Sequence, residues 1–63
     1  MKLDIETESS GWIRYSYTLE NVYEMRVMGE NLIIRYSGSD PKNKFLKVVP
    51  IVEIVKLSYV REI

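Results

Sequence analysis

The amino-acid sequence predicts an all-β fold, and three observations carry that expectation. From Trp12 to Val60 apolar and polar residues alternate with period two, the spacing of a pleated strand whose side chains point to opposite faces in turn. Turn-forming residues cut the alternation into short runs. The composition agrees: Val, Ile and Tyr are prominent, while alanine and glutamine, both strong helix formers, are absent from the 63 residues. The expected architecture is a single small domain over residues 1–63. Five or six antiparallel strands form a meander curled into a barrel-like or strongly bent sheet.

The elements follow in order. The alternation in Met1-Lys2-Leu3-Asp4-Ile5-Glu6 reads as a short first strand, and Glu6-Thr7-Glu8-Ser9-Ser10-Gly11 as the turn after it. In the next run Ile13, Tyr15, Tyr17 and Leu19 share one face, with Trp12, Arg14, Ser16 and Thr18 on the other, before a break at Leu19-Glu20-Asn21. Two further runs flank Gly29-Glu30, a pair suited to a two-residue type II′ hairpin turn, which wants glycine first. That register sets Val27 opposite Leu32, Met25 opposite Ile34 and Tyr23 opposite Tyr36. On the reverse face it sets Glu24 opposite Arg35, an attractive cross-strand pair.

Ser37 to Lys44 is a loop whose Asp40-Pro41-Lys42-Asn43 has the residue types of a type I turn. Phe45 to Val49 is a strand with apolar groups on both faces, read as Leu46 and Val48 inward, Phe45 and Val49 outward. Pro50 interrupts it, since a residue without an N–H belongs at an edge, a bulge or a strand end. The β-branched density of Ile51 to Val60 favours a strand there; a short C-terminal helix opened by Pro50 is the alternative. The expected inward set is Tyr15, Tyr17, Tyr23, Met25, Val27, Leu32, Ile34, Tyr36, Leu46 and Val48, and Tyr59 falls on the inner face too.

Composition narrows the function. A chain of this length sits near the lower limit for independent folding, and small domains compensate with disulfides, metals or partners. With no cysteine and no histidine, disulfides are closed and a structural zinc site is not expected. Nine basic and nine acidic residues give zero formal net charge, without the basic excess typical of nucleic-acid-binding domains. No apolar run approaches the roughly 18 residues of a membrane span. The alternating N-terminus also lacks the apolar stretch of a signal peptide. A cytoplasmic protein without cofactor, metal or small-molecule substrate is expected.

No catalytic residue stands out. Every carboxylate lies on a polar face or in a turn, and a chain of this length rarely builds the concave pocket in which even the neighbours Glu6 and Glu8 could act. The apolar excess is more telling: one small sheet has more to bury from Phe45 to Val55 than it can cover. Exposed apolar surface of that kind marks interfaces. Trp12, Arg14, Ile33, Arg35, Phe45, Lys47 and Val49 are the candidate protein-interface residues, the apolar ones giving contact area and the basic ones a complementary rim.

The expected function is non-enzymatic binding of another protein, as a homodimeric accessory or inhibitory factor, including a viral or mobile-element product. One alternative is a small β-barrel binding single-stranded DNA or RNA through Trp12, Arg14, Tyr15, Tyr17 and Arg35, with bases stacked on the rings. Another is a structural component of a larger assembly. The order of elements from Leu32 to Val60 loosely resembles the closing half of bacterial pleckstrin-like domains and the Sm-like barrels. That resemblance consists of apolar spacing without a specific motif, so no family is assigned, and a shared fold would not carry function.

Overall fold

The computed structural model describes residues 1–9 and 11–60. Six strands form: β1 (Lys2–Ser9), β2 (Ile13–Leu19), β3 (Val22–Met28), β4 (Asn31–Tyr36), β5 (Phe45–Pro50) and β6 (Ile54–Val60). A single 3₁₀ turn at Ile51–Glu53 separates the last two, so the helical alternative shrinks to one turn ahead of a strand. The fold is all-β. It is built as two three-stranded antiparallel sheets, in the orders β2-β1-β6 and β3-β4-β5, named below after their central strands β1 and β4.

Among the described residues the hydrogen-bonded ladders do not close into a barrel, because β2 is not paired with β3 nor β5 with β6. Both breaks fall where the chain turns a corner from one sheet to the other. At the first corner Asn21 takes a left-handed φ of 54°, which Asn tolerates better than most side chains. Its Nδ2 donates to the Gly38 carbonyl at 2.5 Å, and Ser37 N–H donates to the Asn21 carbonyl at 3.1 Å. Val22 N–H donates to the Met1 carbonyl at 2.8 Å, tying β3 to the start of β1. At the second corner Pro50 ends β5, and Ile51 N–H donates to the Glu30 carbonyl at 2.9 Å.

The β3–β4 hairpin follows its expected register over most of its length. Val27 faces Leu32, Met25 faces Ile34 and Glu24 faces Arg35, with Gly29 at φ 61° and Glu30 outside the positive-φ region, as a type II′ turn requires. The far end differs. Val22 rather than Tyr23 pairs with Tyr36, so Tyr23 is the extra residue of a β-bulge and turns outward. The bulge lets Val22 enter the core straight after the Asn21 corner. Asp40 also acts as expected: its carbonyl accepts from Asn43 N–H at 3.0 Å, and its carboxylate from Lys42 N–H at 3.0 Å.

Three other expectations need correction. β1 continues through Ser9, so Glu6 to Ser9 is strand rather than turn, and Ser10 of that expected turn lies outside the described residues. The faces of β5 are inverted: Val49 pairs with Leu32 and is 3% exposed, while Leu46 and Val48 point away from the core. The parity of β5 is set by the path of the loop before it, and apolar groups on both faces give no signal to fix it. Finally, the rings are not all internal. Tyr17 and Tyr36 pack against the core, but Tyr15, Tyr23 and Tyr59 are exposed.

One core joins the two sheets. Leu3, Ile5 and Leu19 from the β1 sheet meet Val22, Leu32, Ile34 and Val49 from the β4 sheet, with Tyr17, Met25, Tyr36, Ile54 and Leu57 packed around them. Leu3, Ile5 and Ile34 are fully buried, each contributing about 1.5–3 kcal/mol of hydrophobic stabilisation. Val27, expected inside, holds inner-face parity opposite Leu32 but is exposed beyond the covered area.

Candidate protein-interaction surfaces

With the inner faces committed to the core, the outer faces, the space between the sheets and the hairpin tips are left for a partner. The outer face of the β1 sheet carries Asp4, Glu6 and Glu8 on β1, Arg14, Ser16 and Thr18 on β2, and Lys56 and Ser58 on β6. Its polar groups answer one another across the strands. Thr18 Oγ1 donates to Asp4 Oδ1 at 2.6 Å, and the Arg14 guanidinium lies 3.5 Å from both Glu6 and Glu8.

The outer face of the β4 sheet has a different make-up. Ile33 pairs with Val48, Arg35 with Leu46, Arg26 with Ile33, and Glu24 with Arg35. Leu46 is 56% exposed and Val48 50%. Beside these apolar side chains, toward β3, lies a charged group in which Glu24 bridges Arg26 at 3.0 Å and Arg35 at 3.3 Å. Period two accounts for the pattern: once Val49 and Lys47 face inward, Leu46 and Val48 must face out beside Ile33.

Between the sheets a groove of about 340 Å³ opens, with Thr7, Tyr15 and Tyr17 on one wall and Lys47, Val49 and Glu53 on the other. Lys47 Nζ lies 4.9 Å from the centroid of the Tyr17 ring, a cation–π contact across the two sheets. Burial pushes the Tyr17 hydroxyl above the ordinary tyrosine value, and Tyr36 and Glu53 nearby add to the shift. Among the described residues no group of three or more His, Cys, Asp or Glu side chains could hold a metal ion. No helix among them is long and apolar enough to cross a membrane.

The expected interface residues fall into three places. Trp12 and Arg14 lie at the β1–β2 hairpin, Trp12 at φ 81° and 92% exposed. Ile33 and Arg35 lie on the outer face of the β4 sheet. Phe45, Lys47 and Val49 belong to its inner face, where Phe45 stacks at 5.3 Å on Tyr36, Lys47 covers Tyr17 and Val49 is buried. They do not form one surface, and Val49 is not free for a partner. The residues expected to bind a single strand are likewise divided. Arg14 sits on the β1 sheet between two glutamates, Arg35 on the β4 sheet against Glu24, and Tyr15 and Tyr17 line the groove. Leu46 and Val48, which complete the exposed apolar cluster, were missed because parity placed them inside.

Compared with protein-family models, with curated protein sequences and with solved structures, the chain has no match.

Proposed function

We propose that this protein acts by binding another protein, as a non-enzymatic accessory or inhibitory factor, through the outer face of the β4 sheet. The observation that supports this reading is the half-exposed pair of Leu46 and Val48 on β5, with Val48 opposite Ile33 and Leu46 opposite Arg35, bordered on the β3 side by Glu24 and Arg26. An apolar centre bounded by charge is the usual anatomy of a protein interface. The chain works as a dimer that leaves this face open. Val49, among the expected interface residues, has no place in the reading, because it is in the core.

Affinity capture from the native host with wild-type and Leu46→Lys proteins tests it. A partner held by the wild type and lost by a variant that is still folded by circular dichroism is expected; identical capture by both rejects this face. A second reading draws on the exposed rings of Trp12 and Tyr15, on which bases could stack. Binding of single-stranded oligonucleotides that weakens steeply with salt would support it, whereas no binding at low salt rejects it.

A further inference from the structure

Four strands end a sheet, namely β2, β3, β5 and β6, and three of them are guarded against pairing with another chain. β3 is kinked by the bulge at Tyr23, where Val22 pairs with Tyr36 and Glu24 with Arg35. β6 carries a second bulge at Val55, since Lys56 pairs with Glu6 but Ile54 with Thr7. β5 holds Lys47 and finishes on Pro50, which has no N–H to offer. Bulges, lysine and proline are the common devices that blunt a sheet edge. β2 has no bulge, lysine or proline, and its one charged residue, Arg14, is turned to Glu6 and Glu8 of β1. Its seven residues, Ile13–Leu19, keep an unbroken register with β1. Among the described residues, no backbone hydrogen bond outside the ladders reaches 13–19.

We propose that β2 pairs with the β2 of a second copy of this chain, antiparallel about a two-fold axis at Ser16. The proposal deepens the dimeric part of the function above and names the surface that makes the dimer. The strand is complementary to itself in that register, as a two-fold contact demands. Ile13 faces the partner's Leu19 and Tyr15 faces the partner's Tyr17 on the inner side, which covers the exposed Ile13 and Tyr15. On the outer side Arg14 faces the partner's Thr18, whose hydroxyl within one chain is bonded to Asp4. Each arginine then lies in a row between its own Glu8 and, beyond Thr18, the carboxylate of the partner's Asp4. Centring the pair on Arg14 would oppose two arginines, and only the Ser16 centre uses all seven residues. Joining the edges makes one continuous six-stranded sheet and leaves the outer face of the β4 sheet free.

Sedimentation velocity of the full chain over a dilution series decides the matter, with variants at the axis. Ser16 is exposed and opposite Glu6, so Ser16→Lys suits the single chain while setting two lysines against each other in the dimer. The wild type should be dimeric at micromolar concentration. Ser16→Lys and Ser16→Glu should each dissociate about tenfold or more readily, because like charges directly opposed destabilise a strand pair. An equimolar mixture of the two should recover the dimer, a result that loss of folding cannot imitate. Leu46→Lys should leave dimerisation unchanged, so failure of the edge contact and failure of the partner face are read separately. A wild type that stays monomeric, a Ser16→Lys variant that dimerises normally, or a mixture no tighter than its components would overturn the proposal.

Discussion

The two sheets do the same work on their inner faces and different work on their outer ones. Inside, Leu3 and Ile5 from the β1 sheet and Ile34 and Leu32 from the β4 sheet enter one core. Outside, the β1 sheet shows carboxylates, hydroxyls and cations that answer one another, while the β4 sheet shows Ile33, Leu46 and Val48 beside the charges of Glu24, Arg26 and Arg35. The polar face demonstrates that a small sheet of this fold needs no exposed leucine or valine on its outer side. Folding therefore gives no reason for the apolar cluster, and that asymmetry is what directs attention to the β4 sheet as the partner face.

The strongest way to break the comparison is to attack what the sheets share. Leu3→Ala and Ile34→Ala remove fully buried side chains from opposite walls of the core, and each should cost about 2–5 kcal/mol. Urea denaturation followed by the near-ultraviolet signal of Tyr17 and Tyr36, one ring from each sheet against the core, and by far-ultraviolet circular dichroism should give one coincident transition for either variant. Two separate transitions would mean that the sheets unfold independently and that the shared core is not a single cooperative unit.

The hairpin tips sharpen the contrast at a smaller scale. Gly29 sits at φ 61° with open space where a Cβ would stand, so Gly29→Ala meets backbone strain alone and should destabilise by about 1–2 kcal/mol. At the other tip the left-handed residue is Trp12, at φ 81°. Trp12→Gly relieves about 1 kcal/mol of strain but adds a similar cost in chain entropy, leaving stability within about 0.5 kcal/mol of the wild type. Thermal melts of the two variants check both values. A large loss from Trp12→Gly would show that the ring, despite its exposure, supports the fold.

The contact between the sheets also gives a pH signature. Tyr17 holds its proton more tightly in the folded chain than at the ordinary value of 10.0, first because it is buried and then because of Tyr36 and Glu53. Below that value both states are protonated and nothing changes. Above it the unfolded chain has released the proton while the folded chain retains it, so stability falls as pH rises toward the raised folded value. Tyr17→Phe should flatten this alkaline decline. Urea midpoints measured from neutral pH into the alkaline range test it, and an unchanged slope would place the alkaline sensitivity elsewhere.

How far all this was legible in the sequence depends on whether one face of a strand is polar. In β2 and in the β3–β4 hairpin one parity is apolar and the other mixed or charged, so the faces, the turn at Gly29-Glu30 and the Glu24–Arg35 pair follow from alternation. β5 reads Phe45-Leu46-Lys47-Val48-Val49, apolar on both parities, and its inward side depends on how the preceding loop delivers the chain. That one ambiguity inverted Phe45, Val49, Leu46 and Val48 and took the candidate interface with it. The bulge at Tyr23 was invisible for a similar reason, since either Val22 or Tyr23 could fill the position opposite Tyr36. The exposure of Trp12 and the outer-face position of Arg14 did not depend on the parity of β5.

The smallest expected effect on stability carries the most information about function. Arg14→Gln on the β1 sheet removes two exposed ion pairs, and Leu46→Lys on the β4 sheet replaces an exposed leucine. Exposed pairs are worth about 0–1 kcal/mol, and setting an ammonium directly opposite Arg35 costs about 0.2–1 kcal/mol, so each melt should shift only slightly. Partner capture should separate them: Arg14→Gln retains the partner and Leu46→Lys loses it, since an apolar centre tolerates an unpaired ammonium far less than a solvated rim tolerates a lost charge. If instead Arg14→Gln abolished capture and Leu46→Lys did not, the charged face would be the functional one. The apolar cluster would then need another occupant, and the contrast between the two outer faces would have to be interpreted in the opposite sense.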